Sequence, residues 1–195
     1  MKCGLILLAA GGSTRMGEPK QLMDYHGKPL VRHAVDTALA SACGPVIMVL
    51  GANAAAISEV VRDRPVETVE NSRWSEGMGT SIQAGVRAAA KRELDGVILA
   101  LADQPLVTAE IYNRLLAQHE ITGKPIVTSQ YAGTVGVPVL FAKQYFAYLL
   151  TLRPEQGCKG VILAHEANAL RISCPEAEAD IDTPVDYQRL TDTLT

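Results

Sequence analysis

Apolar runs of strand length alternate along this chain with stretches whose apolar positions recur at helical spacing. The run at 3–9, CGLILLA, is apolar throughout rather than alternating, the mark of a strand covered on both faces. Residues 29–42 predict a helix, with Leu30, Val31, Ala34, Val35, Ala38 and Leu39 on one stripe. A second buried strand is expected at 46–50, and Asn53 is placed to cap a helix that runs to Val61. A short strand at 66–69 precedes a helix at 80–93, where Thr80 and Gln83 have capping-box spacing. Residues 97–102 are again continuously apolar and predict a central strand. A helix over 108–120 has Thr108 as its cap and Glu110 in its first turn. This repetition predicts an α/β fold: a Rossmann-like, doubly wound, mostly parallel sheet with helices on both faces.

After residue 125 the pattern loosens. Strands at 126–131 and 138–141, with Gly133 and Gly136 between them, predict a hairpin or an extension of the sheet. Helices are expected near 143–150 and 159–168, then a strand near 169–174. Thr183-Pro184-Val185-Asp186 supplies a cap, a proline at the first helical position and an acid at the third, so a short helix starts there. No Ser/Gly/Pro-rich linker and no internal repeat divides the chain, so a single domain over 1–195 is expected.

Composition narrows the function classes. A chain of 195 residues can bury a core without disulfides or a structural metal. Its 18 Lys and Arg against 21 Asp and Glu give a net of −3, which argues against non-specific nucleic-acid binding. It leaves room for a small basic cluster that grips one phosphorylated ligand. Cys3, Cys43, Cys158 and Cys174 lie far apart with no CxxC spacing and read as scattered reduced thiols. His26, His33, His119 and His165 show no ligand spacing and read as surface or packing residues. The N-terminal apolar run stops at Gly11 and Gly12 without a cleavage-like segment. No apolar stretch approaches the ~20 residues of a membrane span. A cytoplasmic protein is expected, with no nucleic-acid or membrane partner.

Parallel sheets bind ligands outside the carboxyl ends of their strands. The segment after the first strand is Leu8-Ala9-Ala10-Gly11-Gly12-Ser13-Thr14-Arg15-Met16-Gly17-Glu18-Pro19-Lys20. Adjacent glycines let backbone approach a ligand, and consecutive N–H groups in such a turn form an anion nest. Arg15 and Lys20 add positive charge suited to phosphate. Neither GxGxxG nor the G-K-[ST] of a P-loop is present. Asp103 follows the apolar run 97–102, so it stands at the carboxyl end of a central strand. A carboxylate there suits Mg²⁺, which binds through one or two carboxylates plus substrate phosphates.

The stretch LAAGGSTRMGEPKQL resembles the LAAGxSxRMGxxKxL signature of MobA-like nucleotidylyltransferases. Four further segments are similar to the molybdenum cofactor cytidylyltransferase branch: NSRWSEGMGTS at 71–81, LADQP at 101–105, GVPVLF at 136–141 and DIDTPVDY at 180–187. The resemblance implies a fold of the nucleotide-diphospho-sugar transferase type. It implies that the backbone of Leu8, Ala9, Ala10, Gly11, Gly12 and Ser13 cradles a triphosphate, with Arg15 and Lys20 on its phosphates. It places Mg²⁺ on Asp103, with Asp182 as second ligand and Asp180 as the alternative; both alternate on one side of an extended chain. It sets Asn71, Gly79, Thr80 and Ser81 around the nucleotide. Trp74 reads as a packing anchor before a stacking platform.

The implied reaction moves CMP from CTP to the terminal phosphate of a molybdenum-pterin cofactor and releases pyrophosphate. The implied partners are CTP or another NTP, a phosphorylated pterin and a molybdenum hydroxylase apoenzyme, with the protein itself a monomer. Ala10 stands where the guanylyl branch carries Gly, and its methyl narrows the space for a purine. The acceptor half departs from the branch: Val137 replaces a histidine, and in Gly157-Cys158-Lys159-Gly160-Val161-Ile162 the family's acid and arginine are missing. Two other readings stay open: a relative using GTP or a sugar-phosphate acceptor, and a non-catalytic nucleotide- or cofactor-binding chaperone for molybdenum enzymes.

Overall fold

The computed structural model describes residues 1–192. Among the described residues nine strands form: β1 (Cys3–Ala9), β2 (Asp24–Tyr25), β3 (Lys28–Pro29), β4 (Val46–Leu50), β5 (Glu67–Glu70), β6 (Gly96–Leu101), β7 (Ile126–Tyr131), β8 (Thr134–Ala142) and β9 (Ala169–Ser173). Seven α-helices accompany them among the same described residues: α1 (Leu30–Leu39), α2 (Ala54–Val61), α3 (Met78–Ala90), α4 (Ala109–Thr122), α5 (Phe146–Leu150), α6 (Lys159–Ala164) and α7 (Pro184–Asp192). Seven strands make one sheet in the order β5-β4-β1-β6-β8-β7-β9. All its pairings are parallel except those of β8, which runs against both β6 and β7. The small β2–β3 pair stands apart as a hairpin whose turn places His26 and Gly27 at positive φ.

The period of two along each strand sends alternate residues to opposite cores. Leu5, Leu7, Met48, Ile98 and Ala100 pack with Val31, Val35, Ile57, Ile111 and Leu115 from α1, α2 and α4. Ile6, Leu8, Val49, Val97 and Leu99 pack with Ile82, Val86, Phe146, Leu149 and Val161 from α3, α5 and α6. That two-sided burial is why β1, β4 and β6 read as unbroken apolar runs. A third cluster of Met16, Tyr25, Leu30 and Ile181 ties the chain after β1 to the segment before α7.

The expected doubly wound, mostly parallel sheet is present, and the loosened stretch is both a hairpin and a sheet extension. Residues 132 and 133 turn β7 into β8 at positive φ, and β8 is longer than the expected 138–141. Local signals placed the caps of α2 and α4 correctly but without their bonds, and misplaced the start of α3. Asn53 sits in the left-handed region and makes no side-chain cap bond. The third helix begins at Met78, so Thr80 lies inside it; its hydroxyl bonds the Gly77 and Arg73 carbonyls instead of capping. Thr108 occupies the cap position of α4 without a cap bond. The last helix starts as expected: the Asp186 carboxylate accepts from the Thr183 N–H at 2.8 Å, and Thr183 Oγ1 accepts from the Asp186 N–H at 3.3 Å. Among the described residues no helix is long and apolar enough to cross a membrane.

Candidate functional site

Register brings the two chemistry-bearing segments together. Leu8 of β1 lies opposite Leu101 of β6, and the Ala102 N–H donates to the Leu8 carbonyl at 3.1 Å. The glycine loop and Asp103 therefore leave the sheet side by side. The Ile181 N–H then donates to the Asp103 carbonyl at 3.0 Å, and the Ile181 side chain is wholly buried in the third cluster. Its neighbours Asp180 and Asp182 are thereby turned to the other side, and both line a cleft of about 370 Å³ with Asp103. The same cleft is lined by Leu8, Ala9, Ala10, Gly11, Ser13, Arg15 and Lys20.

Hydrogen bonding gives the loop one electrical sign. The carbonyls of Ala9 and Gly11 accept from Gln21 Nε2 at 3.4 and 2.7 Å, and that of Ala10 accepts from the Ala52 N–H at 3.1 Å. The Ser13 carbonyl accepts from the Met16 N–H at 2.9 Å. Among the described residues the N–H groups of Gly11, Gly12, Ser13 and Thr14 have no protein acceptor. Four of the loop carbonyls, those of Ala9, Ala10, Gly11 and Ser13, are tied off while four consecutive donors are left over, an arrangement that favours anions. Gly12 lies against Trp74: a Cβ there would stand 2.9 Å from its ring. Trp74 thus packs on the loop backbone and also faces the cleft.

Lys20 is the electrostatic centre. Its side chain is only 11% exposed, and Nζ lies 2.6 Å from Asp103 Oδ2 and 2.8 Å from Asp182 Oδ1. Arg15, two-thirds exposed, reaches Asp182 Oδ2 at 2.7 Å. Burial alone would lower the lysine pKa, but the two carboxylates outweigh it and the pKa is raised. Burial likewise opposes ionisation of Asp182, yet Lys20 and Arg15 hold its carboxyl below the usual value. Asp180 is pushed up to about 6, by burial first and by the neighbouring Asp103 second.

The donor set fits a hard divalent cation. Asp103 Oδ1 and Asp180 Oδ1 are buried without a partner, and Asp103 and Asp182 already share one cation, the lysine ammonium. Among the described residues no three His, Cys, Asp or Glu side chains form a metal cage by themselves. Two carboxylates at an open cleft suit a hard divalent cation rather than a structural metal.

The remaining expected residues separate into those that face the cleft and those behind it. Ser81 lines it, together with Gly77 and Met78. Asn71, Gly79 and Thr80 do not. Asn71 is buried, donating to Thr80 Oγ1 at 2.9 Å and Ser81 Oγ at 3.0 Å while its Oδ1 accepts from the Arg73 N–H. It holds the 71–81 loop in shape. Gly79 packs on the loop before α6, where a Cβ would fall 2.1 Å from the Arg153 carbonyl oxygen. Cys158 and Ile162 are buried core residues, and Val137 packs against the same cluster. Gln21 escaped sequence reasoning, since a lone glutamine beside Lys20 carries no periodic or spacing signal. None of the four histidines lines the cleft, and all four cysteines are unpaired and buried.

Comparison with known proteins agrees with this arrangement. Residues 5–169 match the model of the MobA-like NTP transferase domain. The chain is 42% identical over 115 residues to nicotine blue oxidoreductase of Paenarthrobacter nicotinovorans, covering 58% of this chain and 55% of that protein, so it spans about half the length of that relative. It is 28% identical to the purine catabolism protein PucB of Bacillus subtilis (strain 168) over 93% of this chain and 92% of that one. It is 23% identical to the molybdenum cofactor cytidylyltransferase of Escherichia coli (strain K12), again over 93% and 92%. Among solved structures, Rv0371c of Mycobacterium tuberculosis H37Rv in complex with manganese superposes with a TM-score of 0.78, at 25% identity, over all of both chains.

Proposed function

The chain belongs to the MobA-like NTP transferase family, and on that footing we propose that it moves CMP from CTP to the terminal phosphate of a molybdenum-pterin cofactor. The acceptor phosphate oxygen bonds to the α-phosphorus of CTP, the bond from that phosphorus to the β-bridging oxygen breaks, and pyrophosphate leaves. The nucleophile is already ionised near neutral pH, so no general base is needed. The difficulty is bringing anions together, and positioning with charge neutralisation supplies the rate. The single observation that carries this reading is the pairing of a glycine loop carrying four unused N–H donors with Lys20, Asp103 and Asp182 in one cleft.

In this reading the loop N–H groups hold the phosphates and Arg15 steers them from the mouth. Lys20 offsets the charge that grows on the departing pyrophosphate. Asp103 and Asp182 would hold Mg²⁺, which when bound would supply charge neutralisation. Asn71, Gly79 and Thr80 act through the shape of the loop that presents Ser81. CTP is favoured because the Ala10 methyl lines the cleft, and a methyl discriminates by about 1–3 kcal/mol. The pterin acceptor rests on the likeness to the E. coli cytidylyltransferase. The setting is the cytoplasm, with the protein acting as a monomer beside a molybdenum hydroxylase apoenzyme.

A second reading keeps the nucleotide and changes the chemistry. It is carried by the 42% likeness to a protein named an oxidoreductase. Pyrophosphate release with each NTP against a panel of phosphorylated acceptors separates the two. CTP-dependent release supports transfer, whereas tight nucleotide binding with no release under any acceptor supports the second reading.

A further inference from the structure

Gln21 is 3% exposed and lies in the short 3-10 turn Lys20–Leu22. A buried amide costs free energy unless its polar ends are bonded, and here both ends are spent on the glycine loop. Nε2 donates to the Gly11 and Ala9 carbonyls, and Oε1 accepts from the Ser13 hydroxyl at 3.2 Å. Ser13 Oγ in turn accepts from the Lys20 N–H at 3.1 Å. Loop and lysine-bearing turn are thereby one hydrogen-bonded unit.

The consequence follows from the planar trans peptide, in which C=O and N–H point opposite ways. With the Gly11 carbonyl turned toward Gln21, the Gly12 N–H is turned away from it, where no described protein atom accepts it. The peptide between two glycines meets little steric resistance to flipping. A flip would replace a donor with a carbonyl oxygen, which repels phosphate. The Gln21 amide is the group that holds the Gly11 carbonyl against that flip.

We infer that Gln21 is a positioning residue of the phosphate cradle, setting the peptide orientation of residues 9–12 and the placement of Lys20 for a polyphosphate. This rests on the reading that the triphosphate occupies the glycine loop. Its role is electrostatic preorganisation of a neighbour and not contact with the reacting atoms.

The test measures binding of inorganic tripolyphosphate and of CMP to the whole chain, followed by fluorescence of Trp74, the sole tryptophan, which touches both Gly12 and the cleft. Gln21→Met keeps the volume and removes every polar atom. Gln21→Glu keeps an acceptor for Ser13 and removes the donor to the carbonyls. It carries the comparison should the methionine variant not fold. Both variants are expected to weaken tripolyphosphate about tenfold or more while changing CMP affinity less than about threefold. Unchanged tripolyphosphate affinity overturns the inference, and so does an equal loss for both ligands, which marks a merely structural role. Failure of the unsubstituted protein to bind tripolyphosphate overturns instead the placement of the triphosphate on which the inference rests.

Discussion

The two halves of the sheet end differently. On the parallel side, β1 and β6 deliver an open loop with unused N–H donors, a buried lysine and Asp103 to one cleft, which Asp182 joins from the segment before α7. On the side where β8 runs antiparallel, Cys158 and Ile162, the positions of the family's acceptor acid and arginine, are packed into the core behind β8. Unsatisfied polar groups cost free energy when buried, and proteins keep them where a ligand will bond them. Asp103 and Asp180 carry that cost at the cleft, whereas the core around Cys158 and Ile162 is apolar. Under the proposed function, nucleotide binding and acceptor choice would fall to separate parts of this molecule.

Breaking the charged half should have the largest effect. Asp103→Ala removes the carboxylate with the buried free oxygen, and pyrophosphate release should fall about a thousandfold or more in a coupled phosphate assay, with the far-ultraviolet dichroism spectrum retained. Lys20→Met leaves Asp103 and Asp182 facing one another without their shared cation. Turnover should drop about a hundredfold, and the melting temperature should also fall, since breaking a largely buried ion pair leaves charge uncompensated. Next comes the seam between the halves. Gly79→Ala forces a Cβ onto the Arg153 carbonyl and should cost about 2–4 kcal/mol in chemical denaturation. Gly11→Ala meets nothing within 4 Å and should leave the unliganded stability within about 1 kcal/mol.

Smaller effects sharpen the division. Ala10→Gly should narrow the preference for CTP over GTP by about tenfold in competition binding. Cys158→Ala, in the apolar core behind β8, should cost about 1–2 kcal/mol of stability and leave CTP affinity unchanged. A large loss of CTP binding in Cys158→Ala would erase the comparison.

Much of this was legible in the chain itself. β1 and β6 announce themselves because burial on both faces leaves no polar position, and the loop after β1 holds its donors and cations within a dozen residues. Asp180 and Asp182 both face the cleft, as alternation along extended chain requires, and Thr183 with Asp186 makes the reciprocal cap that their spacing predicts. The misses share a cause, which is contact between residues distant in sequence. The helix begins at Met78 and not at Thr80 because the Gly79 N–H bonds the Pro154 carbonyl, from a loop some seventy positions away. The role of Gln21 exists only once the turn carrying it folds under the loop. Asn71, expected at the nucleotide, bonds Thr80 and Ser81 across ten positions at most, a contact that spacing alone does not show. The antiparallel direction of β8 follows from the tight turn at 132–133, which the sequence left as one of two choices.

The central claim is that the cleft joining the glycine loop to Asp103 transfers a nucleotide. The most direct measurement is pyrophosphate release from CTP and from GTP, with Mg²⁺ and the molybdenum-loaded pterin, in the unsubstituted protein and in Asp103→Ala. Release with CTP exceeding that with GTP, and lost in the variant, is the predicted result. No release with either nucleotide, or undiminished turnover in Asp103→Ala, would contradict it.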